Sequence, residues 1–209
     1  MSIVNLQKFG LLFLTLTSFL TAEAQRQNPC SEELPYEYQT RLRGGYRIVF
    51  KTDSKEFKSL YLYKGRRRTV ELSGVSCGMP HKNLGYVGAD FRNYFVFVQS
   101  YGSGNPSPIQ LIRKTDGKNT IRDSSAWIDA SIAEDLLIYS ENHVPEPGDK
   151  FTVLNIRSFR REYYPFPDGI FGEPEVLNRI EDVIVNPRMV VVKYRVGAQK
   201  KTKSYQRRR

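Results

Sequence analysis

Two stretches of the chain, residues 86–122 and 127–166, repeat one order of apolar and polar positions. Each starts with a short segment that begins on an aromatic residue. An uninterrupted apolar run follows, Phe95-Val-Phe-Val98 in the first stretch and Leu136-Leu-Ile-Tyr139 in the second. Both then continue through a Gly/Pro-rich loop, an alternating segment, a tight turn and a more polar outer segment. Repetition at a period of about 41 residues is typical of an array of hairpins or blades.

Weaker copies of this pattern lie on both sides. Residues 47–50 and 60–64 match the apolar run and the alternating segment of the first stretch at a common offset of about 49 residues. Residues 180–185 and 189–192 match the start of the second stretch, but an insertion at 165–174 lengthens the spacing. This last unit runs into a basic tail with no clear final strand. The insertion carries apolar residues between prolines, which suit either a partner-docking loop or a cover over an open sheet edge or over the bottom of the core.

The chain as a whole predicts roughly fourteen short β-segments, because β-branched and aromatic residues suit a pleated, half-buried surface. The Asp-Gly pair at 116–117 predicts a tight hairpin turn. We therefore expect an all-β, antiparallel fold of blade-like four-strand repeats, arranged as a small propeller-like array. An N-terminal strand at 36–42 would complete the last blade. The alternative is a twisted meander that closes as a barrel or a sandwich.

The first residues predict export. Lys8 precedes an apolar run of fourteen residues at 9–22, and Ala22-Glu-Ala24 gives a small-residue cleavage pattern. The run is shorter than the ~20 residues of a membrane-spanning helix. We expect a secretory signal peptide at 1–24, a single repeat domain at 25–199, a basic C-terminal tail at 200–209, and a secreted or periplasmic protein that is not transmembrane after signal removal.

Only two cysteines occur, Cys30 and Cys77. In an exported protein the most plausible arrangement is a disulfide that joins the N-terminal arm to the end of the first repeat. Closing a loop of that size stabilises a fold by about 4 kcal/mol in the chain-entropy account.

The formal net charge is +10, and the excess of cations is clustered. The basic tail holds one group: Lys200, Lys201, Lys203, Arg207, Arg208 and Arg209. Two further clusters are Lys64 with Arg66, Arg67 and Arg68, and Arg157 with Arg160 and Arg161. Such groups can contact phosphate, anionic lipid or acidic glycans, or they can simply keep turns and a tail solvated. We expect nucleic acid to be the least suitable of these partners, because the protein is predicted to be exported and carries no nucleic-acid motif.

Residues for catalysis are few. The two histidines, His81 and His143, lie in Pro/Gly-rich loops, and neither has a nucleophile or an acid at the spacing of a known catalytic motif. Phosphate-loop, dinucleotide and zinc-protease patterns do not occur in the sequence. We expect no cofactor and no metal.

The candidate ligand-binding residues are at the entries of the repeats: Tyr86, Asp90, Trp127, Asp129 and Asp182. Carboxylates from different blades would converge at one end of an array, and glycoside hydrolysis needs two of them. An aromatic residue near an acid is also a suitable platform for a sugar. The simpler interpretation is that the acids cap local backbone and that Trp127 packs between repeats.

These observations predict an exported, non-catalytic β-domain that binds a protein, a glycan or a cell-envelope component through loops at one end of the array. One alternative is a carbohydrate-active hydrolase with a carboxylate pair at the repeat entries. The other is an envelope structural protein whose basic tail lies on anionic surfaces.

Overall fold

The structure is a computed structural model that describes residues 39–52, 57–77, 84–99, 107–172 and 175–207. These residues form four consecutive antiparallel sheets, which we number I to IV. Sheet I contains β1 Gln39–Leu42, β2 Tyr46–Thr52, β3 Phe57–Lys64 and β4 Arg67–Ser76. Sheet II contains β5 Tyr86–Asp90, β6 Tyr94–Val98 and β7 Ile109–Arg113. Sheet III contains β8 Ala126–Ser131, β9 Leu136–Ser140, β10 Lys150–Asn155 and β11 Arg161–Pro165. Sheet IV contains β12 Ile180–Val185, β13 Met189–Val196 and β14 Gln199–Gln206.

This arrangement confirms the predicted all-β, antiparallel array of blade-like repeats. Every sheet is a meander in which each strand pairs with the next strand along the chain. Within the described strands no sheet closes into a barrel, so the barrel alternative does not hold. Two 3₁₀ turns, Ile170–Gly172 and Val176–Arg179, lie between sheets III and IV.

The apolar runs are strands that are buried on both faces. In β6, Phe95 and Phe97 pack in the core between sheets I and II, whereas Val96 and Val98 pack in the core between sheets II and III. Successive side chains of a strand point to opposite faces, so a strand between two cores is apolar at every position.

The same division in β9 joins sheet III to both of its neighbours. Leu136 and Ile138 pack in the core shared with sheet IV, and Leu137 and Tyr139 pack in the core shared with sheet II. The three cores of the described residues therefore join the sheets in the order I, II, III, IV.

The sequence predicts that the N-terminal strand completes the last blade, and the structure shows that this prediction is wrong. Residues 39–42 form β1, whose pairs with β2 run from Gln39 opposite Val49 to Leu42 opposite Tyr46. Leu42 is buried in the core between sheets I and II. β1 therefore belongs to the first sheet, and residues 36–38 lie outside the described part of the chain.

The basic tail also differs from its prediction, because most of it is a strand. β14 pairs with β13 over its full length, from Gln199 opposite Val196 to Gln206 opposite Met189. Tyr205 supplies an apolar anchor by packing on the core between sheets III and IV. Lysines are common on edge strands because charge there prevents pairing with other chains. The sequence did not predict this strand, because its lysines are close together and Tyr205 is its only aromatic residue.

The insertion after β11 covers the core between sheets III and IV. Phe166 and Ile170 are buried in that core, and Phe171 packs against it. Of the two interpretations left open for this segment, the described residues 165–172 therefore favour the cover. The outer segment predicted at 119–122 is reduced to one bridge between Ile112 and Asn119, so sheet II has three strands.

Several predictions fall outside the described residues: the signal peptide at 1–24, Cys30, His81, Arg208 and Arg209. The Cys30–Cys77 disulfide stays a prediction for this reason. In the part of the chain that the structure describes, no helix is long and apolar enough to span a membrane.

Candidate anion-binding groove at the hairpin end

Five short hairpin turns lie at one end of the array, which we call the hairpin end. It comprises the turns after β1, β5, β7, β8 and β10. Two contacts across these turns are direct: the Arg43 backbone N–H donates to Asp90 Oδ2 over 2.8 Å, and the Ile156 backbone N–H donates to the Asp135 carbonyl over 2.8 Å. A meander returns every second connection to the same end, so turns distant in sequence meet there.

A groove of about 930 Å³ opens at the hairpin end between the turns of sheets II and III. Apolar side chains from both sheets line it: Tyr94, Ile132, Ile156 and Phe159. Three arginines line it as well: Arg43, Arg92 and Arg157. This volume lies in the range of ligand-binding clefts, which typically combine apolar walls with a few polar groups.

The aromatic pair in this groove brings the two sheets together. The rings of Tyr94 and Phe159 meet edge to face, with centroids 5.1 Å apart and planes inclined at 60°. Both side chains are only partly buried. A partly buried aromatic pair offers apolar surface to a ligand.

The backbone of the groove is strained at two positions. Of the three non-glycine residues with positive φ in the described chain, Asp135 (φ 51°) and Phe159 (φ 57°) both line the groove. A bulky residue in the left-handed region is an outlier, and such strain costs on the order of 1–3 kcal/mol. Strained residues that persist cluster at functional sites.

The corresponding turn of sheet II shows that the fold does not require a phenylalanine there. Gly117 has φ 72°, and its N–H donates to the Arg113 carbonyl over 2.8 Å. The Phe159 N–H donates in the same way to the Asn155 carbonyl over 2.8 Å. One repeat therefore uses the residue that adopts this conformation without strain, and the other places an aromatic ring at the groove.

The arginines give the groove an uneven positive charge. Arg157 forms an ion pair with the buried Asp135 carboxylate. Arg43 and Arg92 are exposed, and their guanidinium groups take part in no ion pair among the described residues. Guanidinium groups bind carboxylates through two parallel hydrogen bonds. The groove therefore favours an anionic ligand that has an apolar portion.

A buried lysine fixes the base of the hairpin end. Lys114 Nζ lies 2.6 Å from Asp90 Oδ1 and donates to the carbonyls of Phe91 (2.7 Å) and Arg43 (3.1 Å). Burial lowers the pKa of Lys114, and the Asp90 carboxylate opposes that shift. Asp90, predicted as a ligand-binding residue, thus holds the turns of sheets I and II together.

The other predicted carboxylates are also engaged within the protein. Asp129 accepts from the backbone N–H groups of Ala130 (2.7 Å) and Val183 (3.2 Å), which links sheet III to sheet IV. Asp182 pairs with Lys193 over 2.9 Å. Each carboxylate has its own partner, and the hydrolase hypothesis stays a prediction.

The two predicted aromatics have different surroundings. Trp127 packs in the core between sheets II and III, where a Cβ on Gly88 would lie 3.1 Å from its ring. Gly88 thus makes room for the indole. Tyr86 begins β5 and remains 45% exposed. Neither residue lines the groove.

The predicted basic residues lie in two places. Arg66, Arg67 and Arg68 form the turn after β3 and the start of β4, and all three are exposed. The four C-terminal cations that the structure describes lie on or beside β14, and three of them have acidic partners: Lys200 with Glu181 (3.4 Å), Lys203 with Asp168 (3.0 Å) and Arg207 with Glu162 (2.6 Å). Lys201 is exposed.

The main groove residues, Arg43, Arg92, Tyr94 and Phe159, were missed in the sequence. At the 41-residue offset of the two clear repeats Gly117 falls opposite Ser158, so the sequence pattern does not pair it with Phe159. The structure does, because each of the two residues donates its N–H to the carbonyl four residues before it. An aromatic residue at a position that favours glycine is unusual for a turn.

Comparison with known protein families finds none that the chain matches, and a search of characterised proteins finds no relative. Among the described residues no group of three or more His, Cys, Asp or Glu side chains is placed to hold a metal ion.

Proposed function

We propose that the protein is a non-catalytic binding domain whose hairpin-end groove holds an acidic sugar unit of a glycan. The observation that carries this proposal is Phe159, an aromatic residue in a strained conformation at a turn position where the neighbouring repeat has glycine. Phe159 packs on Tyr94 and against the core between sheets II and III, and its exposed surface lines the groove. Strain that persists at such a position is typical of functional sites and supports a ligand platform.

The chemistry of the groove suits a sugar acid. The apolar face of a pyranose ring packs on aromatic side chains, and Tyr94 and Phe159 offer such surface. The carboxylate of the sugar would find Arg43 and Arg92, which have no acidic partner among the described residues. Binding through turns at one end also agrees with the function predicted from the sequence.

Replacing Phe159 with glycine tests the proposal. We expect Phe159→Gly to bind an oligogalacturonate at least about tenfold more weakly in calorimetry, a loss of about 1.4 kcal/mol. Its free energy of unfolding should fall by no more than about 1–2 kcal/mol, because the relief of backbone strain offsets part of the packing lost on Tyr94 and the core. The control is Tyr163→Ala, which removes an exposed aromatic outside the groove and should leave binding unchanged.

If Phe159 serves packing alone, the variant will be destabilised but will bind oligogalacturonate normally, and this result would remove the basis of the proposal. Arg43→Gln and Arg92→Gln should reduce the preference for oligogalacturonate over a neutral oligosaccharide of the same length. If wild type shows no such preference, the ligand is not an acidic sugar.

Export belongs to the same proposal, because a glycan-binding domain with a signal sequence acts outside the cytoplasm. We expect the mature chain to begin at Gln25 and Cys30 to pair with Cys77. Intact mass under non-reducing and reducing conditions measures both. A chain that retains residues 1–24, or that reacts with thiol reagents before reduction, would contradict them.

A further inference from the structure

A row of cations crosses the face of sheet I that is turned away from sheet II. In the register of the sheet, Arg41 lies opposite Arg47, Arg47 lies opposite Tyr63, and Tyr63 lies opposite Arg68. Each of the four strands contributes one residue, and three of the four residues are arginines. Neighbouring strands are about 4.8 Å apart, so the row spans roughly 14 Å. We call it the cationic row.

Alternation of side chains fixes the face. Ile48 and Leu62 pack in the core between sheets I and II. Arg47 and Tyr63 are their immediate neighbours in β2 and β3, so they point to the opposite face. The cationic row is therefore separate from the core and from the groove, none of whose lining residues belongs to it.

Cations cover the tyrosines of this face. The Arg47 guanidinium lies 5.5 Å and the Lys51 ammonium 5.1 Å from the centre of the Tyr63 ring. Arg68 lies 4.9 Å from the centre of the Tyr61 ring. The rings attract the cations and hold them on the face, but they do not neutralise the positive charge.

The charge of the row has no counterpart among the described residues. Among the described residues, no ion pair includes the row arginines Arg41, Arg47 and Arg68 or the adjacent Lys51. Arg47 Nε is buried and has no hydrogen-bond partner. Like charges directly opposite each other in a sheet are unfavourable, so the bare protein maintains an arrangement that an anion would relieve.

We propose that this face of sheet I binds a linear acidic polysaccharide, whose successive carboxylate or sulfate groups contact the cationic row. A row of fixed guanidinium groups suits a polymer that carries anions at regular intervals. Single-stranded nucleic acid fits less well, because its bases need open aromatic faces for stacking, and cations occupy the faces of Tyr61 and Tyr63.

The test compares equal charge losses on the two terminal sheets of the full chain. Arg41→Gln with Arg68→Gln removes two unpaired cations of the row, both exposed. Lys193→Gln with Arg195→Gln removes two ion-paired cations of sheet IV. Both variants are made in a Phe159→Gly background, which removes the contribution of the groove. In that background we expect the first variant to bind polygalacturonate or dextran sulfate about tenfold more weakly, with a shallower salt dependence. The second variant should bind within about twofold of Phe159→Gly alone.

Equal losses in the two variants would overturn the proposal, because binding would then follow net charge alone. Tighter binding to anionic vesicles or to single-stranded DNA than to either polysaccharide would assign the face to a different partner. With Phe159 in place, the Arg41→Gln, Arg68→Gln variant should retain oligogalacturonate binding in the groove, so the two proposals fail independently.

Discussion

Sheets I and IV lie at the two ends of the array, and the cations of their outer faces differ in whether they form ion pairs. On sheet IV, Glu181 lies 2.7 Å from Arg195 and 3.4 Å from Lys200, and Asp182 pairs with Lys193. On sheet I the cationic row has no acidic partner among the described residues. Two sheets of the same meander architecture thus differ in whether the protein neutralises its own cations or leaves them for a ligand.

The fastening of the two sheets to the array differs as well. Sheet I is attached through Lys114, whose side chain is only 1% exposed and lies on Asp90 and backbone carbonyls. Sheet IV is attached at the hairpin end through Arg207, which donates two hydrogen bonds to the Glu162 carboxylate (3.0 and 2.6 Å) and is 20% exposed. Water screens the second contact more than the first, so its removal should cost less.

The largest effect is expected from Lys114→Met. It leaves Asp90 without its cation and the carbonyls of Phe91, Arg43 and Arg92 without the Lys114 donor. We therefore expect the free energy of unfolding to fall by about 3–5 kcal/mol in urea titration. Lys118→Met, which changes an exposed lysine of the same turn, should cost less than about 0.5 kcal/mol. Similar values for the two variants would show that the buried contact does not fasten sheet I.

Glu162→Gln should lower the free energy of unfolding by an intermediate amount, because it weakens the contact of Arg207 that attaches sheet IV to sheet III. The hydrogen bonds from Arg207 lower the pKa of Glu162 despite its burial. A lowered carboxylate pKa stabilises the fold above the unfolded-state pKa of about 4.3, and this contribution is lost as the pH falls through the folded-state value. We expect the variant to be about 1–2 kcal/mol less stable near neutral pH.

The pH dependence distinguishes this ion pair from simple packing. The gap in unfolding free energy between wild type and Glu162→Gln should close as the pH falls from about 7 to about 3. Glu134→Gln, an exposed control, should show no such gap. A gap that persists in acid would mean that the charge of Glu162 contributes nothing.

The smallest effects should have opposite signs on the two outer faces. Arg41→Gln relieves repulsion with Arg47 and should raise the free energy of unfolding by roughly 0.2–0.5 kcal/mol at low salt. Lys193→Gln breaks an exposed pair with Asp182 and should lower it by a similar amount. Both differences should shrink in about 0.5 M NaCl, where charges are screened. If the two substitutions changed the free energy of unfolding in the same direction, the contrast between the two outer faces would not hold.

Much of the fold could be predicted from the sequence because its signals are local. The run Phe95 to Val98 is apolar at every position, which predicts burial on both faces, and the Asp-Gly pair at 116–117 predicts the hairpin after β7. The final strand was missed because Tyr205 is its only large apolar residue among many cations. The pairing of β1 was missed because strand patterns do not specify their partners.

The candidate site was less predictable. The acids at the repeat entries were visible as a pattern, but Asp90 and Asp129 bond to backbone groups of neighbouring sheets. The groove depends on Tyr94 and Phe159, which are 65 positions apart and meet only because two meanders return their turns to one end. The cationic row depends on register, since a shift of one residue would move Arg47 to the core face.

The sequence by itself determined the all-β class, the repeat and the strands between two cores, because alternation and turn chemistry act over a few residues. Tertiary structure decided which sheet takes each terminal strand, which cations receive acidic partners and which turns surround the groove. These outcomes depend on distances between sheets, and a charge contributes to a site only through the groups that packing places around it.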